Sequence, residues 1–152
     1  MIEGFATPEG TTNFAGKSLA HKENFRKIHD LTLSNVGIGT YLGNTDLETD
    51  TQQKNAIKES ILRGVNVIDT AINYRAQKSE RTVGKAVSEL IDEGKINRSE
   101  IFISTKNGYV TNDADIQEDF MAYIMREFGK TGVVKEGDIS AQYNCMTIPF
   151  LE

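Results

Sequence analysis

Several residues that commonly announce a function are scarce in this sequence. There is a single cysteine, Cys145, in 152 residues. That excludes an internal disulfide and suits a reducing compartment. No histidine follows Cys145 in the chain, so it reads as a packing residue. The two histidines, His21 and His29, both precede the first predicted parallel strand and belong to no ligand-like cluster, so no metal site is expected. No apolar run reaches the roughly 18 residues that a membrane span needs. The opening "MIEGFATPEGTTNFAGKSLA" lacks the basic start and apolar stretch of a signal peptide. A cytoplasmic location without a membrane partner is therefore expected. Basic residues are outnumbered, 17 Lys and Arg against 22 Asp and Glu, for a net charge of -5. The pI near 5.1 leaves no footprint for nucleic acid.

What is present fits one globular domain over residues 1–152, with 38% hydrophobic and 26% charged residues and enough length to bury a core. No repeat or low-complexity tract divides it. Residues 1–22 are rich in Gly, Thr and Ser with little periodicity and are expected to be an extended arm. "FRKI" and "LTLS" flank the two-residue break "HD" as a hairpin does. "NVGIGTYLG" is a short strand ending in glycines. Asp50 and Gln53 have capping-box spacing, and Ala56, Ile57, Ser60 and Ile61 mark one face of a helix stopped at Gly64. "VNVID" is a continuous apolar run of the kind seen in strands buried on both faces. Ser79 is placed to cap a helix bearing Val83, Ala86, Val87, Leu90 and Ile91 at helical spacing, closed by Gly94. "EIFISTK" is the next strand.

Strand, helix, strand, helix, strand predicts an α/β fold with a parallel sheet. The carboxyl ends of its strands would share one rim, where such folds bind ligands. Gly39, Thr40 and Tyr41 follow the first strand, Asp69 and Tyr74 the second, and Lys106 the third. Each has a commonplace reading as a cap, a surface aromatic or a solvated charge. Their joint placement points to chemistry. Tyrosine titrates near pH 10, and an adjacent ammonium lowers that value by favouring the phenolate. An acid would hold the lysine. Such a tyrosine can protonate a carbonyl oxygen as hydride reaches its carbon.

The segments "VGIGTYLG", "GVNVIDTAINYR", "SERTVGKAV" and "EIFISTKNGYV", from about Phe25 to Val110, resemble the amino-terminal part of an aldo-keto reductase. The resemblance implies a (β/α)8 TIM barrel, with this chain covering about the first three strand-helix units and the hairpin closing the barrel's bottom. It implies NADPH-dependent reduction of an aldehyde or ketone. Tyr74 would be the general acid, Lys106 its partner and Asp69 the partner of Lys106, while Gly39, Thr40 and Tyr41 match the segment near the nicotinamide. The Tyr-x-x-x-Lys spacing of Tyr74 and Lys78 also fits short-chain dehydrogenases. Those need a G-x-G-x-x-G turn opening directly into a helix, and "GIGTYLG" is followed instead by "NTDLETDTQ".

The chain also departs from the family pattern. The family's fourth catalytic residue is a histidine beyond the lysine, and no histidine follows His29. A full barrel takes roughly 250 residues, and three strands are counted. The chain is expected to be a truncated reductase, inactive or impaired, that self-associates through an exposed sheet edge. The alternative is a non-catalytic, barrel-derived binding module. In residues 112–152, Asp113 or Asp115 is placed to cap a helix with Ile116, Phe120, Ile124 and Phe128 on one stripe. Met121 and Met125 are read as packing residues beside it, and Pro149 lies in the first turn of a last helix.

Overall fold

The computed structural model describes residues 2–152. The amino-terminal arm is not extended: Pro8–Lys17 form helix α1, and residue 1 of that arm lies outside the described residues. Thr7 caps α1 by accepting from Gly10 N at 3.0 Å, and Pro8 supplies a first turn that lacks only an unneeded N–H. Gly and Thr are poor helix formers, so the helix depends on packing through the buried Phe14 and Thr11. Sequence periodicity could not show this. The hairpin forms as expected from β1 (Phe25–Ile28) and β2 (Leu31–Ser34), antiparallel. His29 and Asp30 have φ of 46° and 69°, the two left-handed residues that a tight hairpin turn requires. Thr11 Oγ1 of α1 accepts from Thr32 N of β2 at 3.0 Å.

A second sheet joins β3 (Ile38–Gly39), β4 (Val67–Asp69) and β5 (Phe102–Ser104), all parallel, with β4 central. Ile38, Ile68 and Ile103 share one rung and face α2 (Leu47–Leu62) and α3 (Lys78–Asp92). The main core forms between them: Ile57 and Ile61 from α2 meet Val83, Ala86, Val87 and Leu90 from α3, with Ile68 and Ile101. Burying each such Ile or Leu contributes about 1.5–3 kcal/mol. The α2 face is narrower than expected, since Ala56 is exposed and Ser60 half-buried. Gly64 ends it with φ of 100°, where a β-carbon would meet Ala20 Cβ and Ser18 Oγ, both at 2.6 Å.

Both expected caps are corrected. Helix α2 starts at Leu47, with Asp46 Oδ1 accepting from Thr49 N at 2.7 Å. Asp50 is thereby inside the helix, where it pairs with Arg75 and Lys78. Helix α3 starts at Lys78 after Gln77, whose φ is 74°, so Ser79 is not its cap and its hydroxyl is free for a tertiary bond. Asn66 joins three elements at the amino end of β4. Its Oδ1 accepts from Ser34 N at 2.8 Å, and its Nδ2 donates to Thr32 O at 3.0 Å and Glu100 O at 3.3 Å, with the Asn66 residue itself fully buried.

Beyond β5 a smaller cluster collects Val110, Tyr123, Ile124, Val134 and Cys145. Cys145 is buried, as a packing residue would be. The helix there is shorter than the stripe suggested: α4 (Phe120–Ile124) is capped by Asp119, which accepts from Met121 N and Ala122 N, and it passes into a single π turn over Met125–Gly129. Asp113 and Asp115 are not caps, because Arg81 and Lys78 engage them. Ile116, Met121 and Met125 are 40%, 52% and 54% exposed, so none packs as expected. Helix α5 (Ile148–Leu151) has Pro149 in its first turn.

Candidate active site

The parallel register carries Gly39, Asp69 and Ser104 onto one rung at the carboxyl ends of β3, β4 and β5. Side chains alternate along a strand, so Asp69 points away from the helix-covered face that takes Ile68. Lys106, two residues past β5, reaches back across the rim. Its Nζ donates to both Asp69 oxygens at 2.8 Å and to the Thr70 carbonyl at 2.9 Å. Both side chains are 48% exposed, so the pair adds little stability by itself. Its effect is to fix the ammonium, which lies 4.7 Å from the Tyr74 ring centroid. The Asp69 carboxylate first, and Tyr74 after it, hold the lysine above its ordinary pKa, so Lys106 is a cation at neutral pH.

Tyr74 ends a turn in which its N–H donates to Ala71 O at 3.1 Å. Tyr41 meets its ring edge-on, at 5.0 Å between centroids and 70° between planes, a favoured aromatic geometry. Tyr41 is itself 64% exposed, and a β-carbon built on Gly39 would have nothing within 4 Å. The two therefore offer an open floor and an aromatic wall beside the Tyr74–Lys106 pair. Thr40 differs from its neighbours. It is fully buried, its N–H and hydroxyl both donate to Asp69 O at 3.1 Å, and its carbonyl accepts from Ser79 Oγ at 2.6 Å and Gln53 Nε2 at 3.1 Å. It bolts the loop in place beneath the rim. A cleft of about 720 Å³ opens beside Tyr41, walled by Tyr109, Phe120 and Tyr143 and by the polar Asn73 and Asn112.

The structure thus brings together Asp69, Tyr74, Lys106, Gly39 and Tyr41, and sets Thr40 below them. Sequence reasoning missed the Thr70 carbonyl, since a backbone acceptor leaves no mark in residue type. It also missed Gln53 and Arg75, whose partners lie tens of residues away. The acidic and basic groups behind the site form a chain. Burial opposes ionisation of Asp50, but Lys78 and Arg75 outweigh it and hold that carboxyl below its usual range. Arg81 does the same for Asp113.

The sequence model of the aldo/keto reductase family matches residues 35–138, which takes in β3 through β5 and every residue of the rim. The chain belongs to the aldo/keto reductase family, whose members are built on the TIM barrel. An aldose reductase from Encephalitozoon cuniculi (strain GB-M1) is 32% identical over 71 residues, covering 47% of this chain and 21% of that protein. The chain spans about a fifth of the length of this curated relative in the match.

Proposed function

We propose that the rim reduces an aldehyde or ketone to an alcohol with NADPH, Tyr74 acting as the general acid. The observation that carries the reading is the placement of Lys106, held by both oxygens of Asp69 at 2.8 Å and facing the Tyr74 ring at 4.7 Å. Tyr74 donates a hydrogen bond to the carbonyl oxygen and passes it the phenolic proton as the carbonyl carbon is reduced. The phenolate left behind is opposite in charge to Lys106, and Asp69 keeps that ammonium from turning away to solvent. Water returns the proton to Tyr74 after the alcohol leaves. Bound NADPH supplies the hydride. Gly39 and Tyr41 would hold its nicotinamide end, with Thr40 fixing their loop.

The three parallel strands are read as the first three of the family's barrel, and the hairpin as the cover of its amino-terminal end. Polarisation of the carbonyl falls to Tyr74, backed by the Lys106 ammonium. The substrate is a small carbonyl compound, approaching through the cleft beside Tyr41. A calorimetric titration of the chain with NADPH tests the cofactor half. Saturable binding near one cofactor per chain, weakened by Tyr41→Ala, is expected. Heats that do not saturate, or that are indifferent to Tyr41→Ala, would leave the rim without a cofactor.

A further inference from the structure

The turn that follows Tyr74 has an uncommon backbone. Arg75, Ala76 and Gln77 have φ of 52°, 49° and 74°, three successive left-handed residues without a glycine among them. Such a run persists only where its surroundings over-determine it. Arg75 provides several of those constraints at once. Its side chain is 1% exposed, and each face of the guanidinium fork is used: Nε donates to Asn44 O at 2.7 Å, Nη1 to Gln53 Oε1 at 3.0 Å and Nη2 to Asp50 Oδ1 at 2.5 Å. Gln53 then donates its own Nε2 to the Thr40 carbonyl at 3.1 Å. One side-chain amide therefore joins the turn carrying Tyr74 to the loop carrying Tyr41. A lysine, with a point charge and no planar fork, could not satisfy the same three acceptors.

We infer that Arg75 is a positioning residue for Tyr74: through Gln53 it locks the phenol-bearing turn to the Gly39–Tyr41 loop, and so sets Tyr74 against Lys106. The inference rests on the reductase reading for its relevance to chemistry, but the lock itself is observable without turnover. The whole chain is labelled with 13C at Cζ of its five tyrosines, and the Tyr74 and Tyr41 signals are assigned by Tyr74→Phe and Tyr41→Phe. In the native chain both signals stand apart from free tyrosine, because each ring sits in the field of the other and Tyr74 also in that of Lys106. In Arg75→Lys, which keeps the charge beside Asp50, both displacements are expected to fall by more than half. Gln53→Ala leaves Arg75 paired with Asp50 and is expected to give the same collapse, so it decides the matter if Arg75→Lys does not fold. Where aldehyde-dependent NADPH oxidation is measurable, kcat should fall at least about tenfold with KM changed less than about twofold, as misplacement of a reacting group requires. Displacements that survive in folded Gln53→Ala, or a loss of melting temperature alone in Arg75→Lys with signals unchanged, would overturn the inference. Native signals that collapse on substitution in a chain with no turnover would instead uphold the lock and count against the reductase reading.

Discussion

Removing the Asn66 amide should destabilise the fold by a predictable amount. Asn66→Ala strips partners from Ser34 N–H, Thr32 C=O and Glu100 C=O, which its side chain engages at 2.8, 3.0 and 3.3 Å. The residue is 0% exposed, and its bonds to Ser34 N–H and Glu100 C=O are buried, so water has little access to those two groups, though the half-buried Thr32 is open to some. At about 1 kcal/mol for each hydrogen bond, and more for a buried group left unsatisfied, the loss comes to about 3 kcal/mol. For a chain of this size that corresponds to a melting point lower by about 6–12 °C. Urea unfolding followed by circular dichroism is the assay, with the midpoint falling and the slope unchanged. A loss under about 1 kcal/mol would refute the claim that Asn66 ties the hairpin to the starts of β4 and β5.

Helix α1 offers a matched pair of substitutions. A β-carbon at Gly10 would clash with the Ser99 carbonyl group, whereas one at Gly16 would meet nothing within 4 Å. Gly10→Ala should cost about 1–3 kcal/mol by overpacking against backbone, and Gly16→Ala should gain about 0.5 kcal/mol; equal effects in thermal unfolding would contradict the seating of α1. Asp113 titrates below its ordinary 3.8 in the folded chain because Arg81 bonds its carboxylate. The unfolded chain therefore takes up that proton first as pH falls, so the contribution is complete above about pH 3.8 and is lost below it. The stability difference between the native chain and Arg81→Met should accordingly shrink below pH 3.8, and a difference constant with pH would deny the pairing. Among the described residues β3 and β5 are the outer strands of the parallel sheet. Self-association through these edges should appear in sedimentation as mass that rises with protein concentration, and a monomer at all concentrations would exclude it.

The parallel order of β3, β4 and β5 was legible because each strand is apolar and each is separated from the next by a helix with a periodic face. Val83, Ala86, Val87 and Leu90 lie where their spacing puts them. The rim was legible for the same reason: an acid, a tyrosine and a lysine each trail a strand, and parallel strands align their ends. Other features were hidden where tertiary contacts override local signals. Helix α1 has the composition of a loop and is held by Phe14 and Thr11. Asp50 and Ser79 have the types of caps, yet Asp50 serves Arg75 and Lys78, and Ser79 serves the Thr40 carbonyl. The left-handed turn at Arg75–Gln77 contains no glycine to betray it. Phe120, Ile124 and Phe128 of the expected stripe do meet the smaller cluster, while Met121 and Met125 flank it on the side left exposed.

Oxidation of NADPH at high protein concentration, with and without an excess of a reactive aromatic aldehyde, tests the central claim most directly. Aldehyde-dependent oxidation is expected, reduced at least about a hundredfold in Tyr74→Phe and similarly in Lys106→Met, with both variants folded by circular dichroism. Oxidation that proceeds equally in the native chain and Tyr74→Phe, or that never depends on the aldehyde, would contradict the assignment of Tyr74 as the acid.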